Sequence, residues 1–210
     1  MNSYENTWRD SKDAFNQQLE RNIWELKNQY PPHWRHFLQH IQYSNVKKVV
    51  DVGCGAGVLY AVLCHCFPGV EYHGYDYAPQ AIELARETWK TDRFTVCDYH
   101  DVPPEAIDEK TLIVANALAD VLPDGNECVE HLLRLGTHAV SLLRVRTTNR
   151  SSYFDIHDAY DIKTYAFYHN YHDLKTLINQ YGYDVYASTY HQDIQDILCY
   201  RDIISLEPVS

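Results

Sequence analysis

The chain lacks any cluster of positive charge. It has 18 Lys and Arg against 29 Asp and Glu, a formal net charge of −11 at pH 7. Its densest basic spots, Lys47-Lys48 and the trio Arg144, Arg146 and Arg150, read as solvated surface. An acidic chain without a basic run repels a phosphate backbone, so no nucleic-acid partner is expected. No C-x-x-C pair occurs among the six cysteines, and reduced thiols in a cytoplasmic core are the expectation. Cys64 and Cys66 flank His65, but residues two apart on a helix point to nearly opposite faces and chelate poorly. His33, His36 and His40 share a helix face, yet no carboxylate or thiol completes a set, so no metal is predicted. Residues 1–6 show neither the basic nor the apolar region of a signal peptide. The stretch 52–70 has no charged side chain but holds four glycines, Pro68 and His65. A buried strand, turn and helix explain that mixture better than a lipid-spanning helix, so no membrane partner is expected. Internal repeats and low-complexity segments are missing too.

What is present reads as one α/β domain with an added helical segment. The 210 residues are 45% hydrophobic and 22% charged, ordinary globular values. Residues 10–30 read as an amphipathic helix, with Phe15, Leu19, Ile23, Leu26 and Tyr30 at helical steps. Pro31-Pro32 stops it and opens a second helix carrying Trp34, Phe37, Leu38 and Ile41. Residues 1–44 are therefore assigned to an N-terminal helical segment and 45–210 to the α/β domain. That domain opens with Val49-Val50-Asp51-Val52-Gly53-Cys54-Gly55-Ala56-Gly57-Val58, a strand, a glycine turn and a helix start. Glycines serve where backbone approaches a ligand or takes positive φ, and a helix start offers free N–H groups to an anion. A dinucleotide turn wants G-x-G-x-x-G, and Val58 occupies its last position, which disfavours a nicotinamide cofactor. Further strands end at Asp76 and Asp98, a fourth covers 111–115 and a fifth 139–145. The polar, aromatic segment 147–165 reads as a long binding loop. A helix with Leu174, Leu177, Ile178 and Tyr181 ends at Gly182, and a hairpin of 185–190 and 197–203 closes the chain. Strands alternating with helices imply a doubly wound, mostly parallel sheet.

Four stretches together carry a family resemblance. They are Asp51 with Gly53, Gly55 and Gly57; residues 74–85 around Asp76; the strand end at Asp98-Tyr99; and residues 116–124, from Asn116 to Leu122-Pro123-Asp124. This set resembles the class I S-adenosylmethionine-dependent methyltransferases over about residues 45–205. The resemblance implies a Rossmann-like sheet of seven strands, the last antiparallel, and S-adenosylmethionine as cofactor. It implies cofactor contacts at Asp51, Gly53, Gly55, Gly57, Asp76, Tyr77, Asp98, Tyr99 and Asn116, with Asp76 on the ribose hydroxyls and Asp98 on the adenine amino group. The N-terminal helices would either cap the site or cover a sheet edge. One departure stands out. Asn116-Ala117-Leu118-Ala119 replaces the Asn/Asp-Pro-Pro-Tyr of members that methylate bases or glutamine. A small-molecule acceptor is therefore expected, methylated at a hydroxyl oxygen of a sugar or secondary metabolite. Such a hydroxyl must lose its proton, which suits His near neutral pH. The resemblance points to His169 and His172 as catalytic, with His157 next and Tyr153, Tyr168 and Tyr171 as pocket walls. The alternative is a catalytically silent domain that binds cofactor or partner.

Overall fold

A computed structural model describes residues 7–191 and 194–201. Residues 1–6, read above for a leader, and the expected strand residues 202–203 lie outside the described residues. The first expected helix, residues 10–30, is found over 12–28, and a short turn of helix precedes it. Ser11 accepts a hydrogen bond from the Ala14 N–H through its side chain, so it caps a new helix. The result is α1, Thr7–Asp10, and α2, Lys12–Asn28. The third helix, α3, spans Pro32–Ser44.

The domain then alternates. β1 (Lys48–Val52) leads to α4 (Val58–Cys66), β2 (Glu71–Asp76) to α5 (Pro79–Trp89), and β3 (Phe94–Val96) follows. β4 (Thr111–Asn116) precedes α6 (Gly125–Arg134) and the long β5 (Ala139–Thr148). Beyond β5 come β6 (Tyr153–Ala159), β7 (Ile162–Asn170), α7 (Tyr171–Gln180), β8 (Tyr183–His191) and β9 (Ile194–Arg201).

Strands β3, β2, β1, β4 and β5 lie side by side and parallel. β9 runs antiparallel to β5, and β8 pairs with β9. These seven match the expected sheet. The described residues hold nine strands, because segment 147–165 is no loop. It contains the end of β5, all of β6 and the start of β7, and β6 and β7 form an antiparallel hairpin. Thr147 and Thr148 at the end of β5 pair with His169 and Asn170 of β7, which hangs the hairpin on the sheet.

Side chains alternate across the strands, so β1 sends Val49 to one core and Val50 and Val52 to the other. The first core packs α3 and α4 through Trp34, Phe37, Ile41, Leu59 and Leu63. The second packs α6 and α7 through Val129, Leu132, Leu133, Leu174 and Ile178. Phe15 of α2 packs instead on Ala78 and Ala81 at the start of α5. Among the described residues no helix is long and apolar enough to cross a membrane.

Candidate active site

The chain runs from β1 outward to β3, then returns to β4 on the other side of β1. The sheet order thus reverses between β1 and β4, and a crevice opens beyond their carboxyl ends, where ligands of such sheets bind. A cavity of about 520 Å³ lies there. Its floor is Gly53, Gly55, Asp76, Tyr77, Asp98, Tyr99 and Asn116, seven of the nine predicted cofactor contacts.

Asp76 ties this floor together. One carboxylate oxygen accepts from the Gly55 N–H at 2.8 Å, and the other accepts from the Ala78 N–H at 2.9 Å. Burial pushes its pKa up to about 6, and those two hydrogen bonds hold it from rising further. Asp98 accepts from the backbone N–H of His100 and contacts its Nδ1 at 2.8 Å. Glu127 meets the other ring nitrogen at 3.1 Å. Burial lowers the His100 pKa, but bonds to the two carboxylates outweigh it and leave it raised. The Asn116 Oδ1 is buried beside the cavity with no hydrogen-bond partner among the described residues.

Two predicted contacts do not reach the cavity. Asp51 is buried in the core, where its carboxylate accepts from the Tyr72 hydroxyl at 2.6 Å. Burial pushes its pKa up to about 7, the Tyr72 bond opposes this, and nearby Asp76 adds to it. Gly57 serves packing. It has φ 76° ahead of α4, and a Cβ there would overlap the Phe94 ring.

The two histidines expected to be catalytic lie outside the cavity lining. His169, near the end of β7, is buried, with Nδ1 2.7 Å from Asn126 Oδ1. His172 lies exposed in the first turn of α7. Neither lines the cavity, because β7 carries His169 into the protein and α7 starts beyond its end. His157, on β6, does line it. Tyr153 and Tyr168 stack at 4.8 Å outside the cavity lining, and Tyr171 lies outside it as well. Tyr160 and Tyr165 wall it instead.

Further walls come from the N-terminal helices. α1 and α2 supply Trp8, Arg9, Phe15 and Gln18. Trp8 donates from its indole N–H to the Thr164 hydroxyl at 3.0 Å, and the Arg9 N–H donates to the Tyr77 hydroxyl at 3.1 Å. The first two helices thus roof the cavity, whereas α3 packs against β5 and β9. His36 and His40 of α3 are taken by Asp196 and Ser141.

Asp120, Arg144 and Arg146 also line the cavity. Sequence reasoning placed these arginines on the surface. They alternate at the end of β5, a period-two signal that puts two side chains on one face. Asp120 is 4% exposed and lies 3.3 Å from Arg146. Burial raises its pKa, while Arg144 and then Arg146 pull it back.

Comparisons with known proteins fit this geometry. Residues 50–144 match the family described as Methyltransferase domain. Trans-aconitate 2-methyltransferase of Escherichia fergusonii is 35% identical over 99 residues, 47% of this chain and 38% of the relative. The chain thus spans well under half the length of that curated relative. Human N-acetylserotonin methyltransferase in complex with S-adenosylmethionine superposes with a TM-score of 0.66 at 14% identity, covering 93% of this chain and 58% of that one. An amino pentose methyltransferase from Micromonospora echinaspora, also with the cofactor bound, gives 0.63 at 12% identity, covering 80% and 90%.

Proposed function

Residues 50–144 belong to the class I S-adenosylmethionine-dependent methyltransferases, and from that premise we propose that the chain methylates an oxygen of a small-molecule acceptor. The observation that carries this reading is the buried Asp76 carboxylate bonded to Gly55 and sharing one cavity with Asp98 and Asn116. S-adenosylmethionine, when bound, supplies an electrophilic methyl carbon on a sulfonium. The residues present fit it. Asp76 uses two of its roughly four lone-pair positions on backbone N–H groups and keeps the others for ribose hydroxyls. Asn116 offers an unpaired buried acceptor for an ammonium. Gly53 and Gly55 let the backbone come close, and Asp98 with Tyr99 borders an adenine. Because the thioether leaves readily, the protein's task is to align the acceptor and exclude water. The aromatic walls Trp8, Tyr160 and Tyr165 do the second. Where the acceptor is a hydroxyl, His157 is the imidazole placed to receive its proton.

Calorimetric titration with S-adenosylmethionine, S-adenosylhomocysteine and NAD tests the reading. Binding of the first two is expected, weakened at least about tenfold in Asp76→Ala, the scale of a lost charged hydrogen bond. Binding of NAD alone sinks it. Cofactor binding without turnover over a broad acceptor screen would favour the silent domain.

A further inference from the structure

We propose that the acceptor carries a carboxylate, and that Arg144 holds it. This rests on the methyl-transfer reading and names its substrate class.

The first ground is charge. The Arg144 guanidinium lines the cavity, and Asp120 beside it is already met by Arg146 at 3.3 Å. Among the described residues the Arg144 side chain makes no hydrogen bond, although Asp120 and His33 lie within its electrostatic reach. A guanidinium presents a planar fork of donors that matches a carboxylate oxygen for oxygen.

The second ground is independent and lies in the backbone. Arg144 has φ 60°, a conformation that costs a non-glycine residue about 1–2 kcal/mol. It sits where the register between β5 and β9 slips, between Leu142 and Val145. The slip is held in place. The Arg144 N–H donates to Asp196 Oδ1 at 2.7 Å, and the other Asp196 oxygen meets His36 Nδ1 at 2.6 Å. A bulge of this kind re-aims a side chain, and strain kept by surrounding bonds marks functional positions. Here it turns a guanidinium out of the strand ladder and into the cavity.

The test uses the full chain. Propane-1,2,3-tricarboxylate, succinate and benzoate are titrated by calorimetry, with and without saturating S-adenosylhomocysteine. At least one is expected to bind wild type, at least about tenfold more weakly to Arg144→Asn and with partial recovery in Arg144→Lys. The matching methyl esters are expected not to bind. Asparagine tolerates positive φ, so Arg144→Asn is expected to melt no lower than wild type and to bind S-adenosylhomocysteine as wild type does. Failure of all three acids on wild type overturns the proposal, as does equal binding to Arg144→Asn or equal binding of the esters. Failure of S-adenosylhomocysteine on wild type overturns the methyl-transfer reading instead, and titration of the acids alone still decides the clamp.

Discussion

Asp76 and Gly57 sit on one glycine turn and do different work. Asp76 was singled out because an acid at a strand end, often only a helix cap, here agrees in spacing with the glycine turn, and it lines the cavity. Gly57 and Asp51 belong to the same motif but face the packing, toward Phe94 and Tyr72. Spacing along a chain fixes which residues are near a turn, not which way each one faces. Gly57→Ala is expected to cost about 2 kcal/mol or more in urea unfolding, since positive φ and overlap with Phe94 add. Gly69, with nothing within 4 Å of an added Cβ, is the control. Its replacement by Ala is expected to stay within about 0.5 kcal/mol. Arg144 was missed because the alternating arginines at the end of β5 were read as solvated surface rather than as one face turned to a cavity.

At the scale of elements, the parallel strands were legible from apolar runs ending in acids or glycine. The β6–β7 hairpin was not. Its two-residue turn is Tyr160-Asp161, with φ 50° and 63°. Positive φ at both central residues is the mark of a type I′ turn, which sequences usually signal with Asn-Gly or Asp-Gly. A tyrosine at the first position hides it. Tertiary contacts hold the turn, since Gln17 donates to Asp161 at 3.0 Å and Trp8 packs edge-on to Tyr160 at 6.0 Å. Asp161→Gly removes the strain at one position and loses an exposed hydrogen bond. The expected balance is a gain of up to about 1 kcal/mol, read as a higher urea midpoint.

For the whole molecule, buried titrating groups oppose one another. Burial holds His169 down at about 4. It holds His40 at about 3, with His36 contributing. As pH falls below the ordinary histidine value of about 6.5, the unfolded chain takes up protons that these two refuse, and stability drops. Asp51 and Asp76 have raised values, so between about pH 7 and 4 the native state takes up protons first and stability rises. Removing one histidine exposes the balance. The stability of His40→Asn relative to wild type is expected to rise by about 1.4 kcal/mol per pH unit from pH 6 to 4. Urea unfolding at three pH values measures it, and a pH-independent difference would refute it.

The roof of the cavity closes over a long distance in the chain. Trp8 and Thr164 are 156 residues apart, and Gln17 and Asp161 are 144 apart. Contacts of such separation are rewarded only after the loop between them has been ordered, so they form slowly. The floor, from Gly53 to Asn116, needs only its neighbouring strands. The cavity thus joins a floor drawn from the stretch shared with relatives to walls drawn from segments before and after that stretch. A chain still being synthesised carries the floor well before residues 157–166 exist to complete the enclosure.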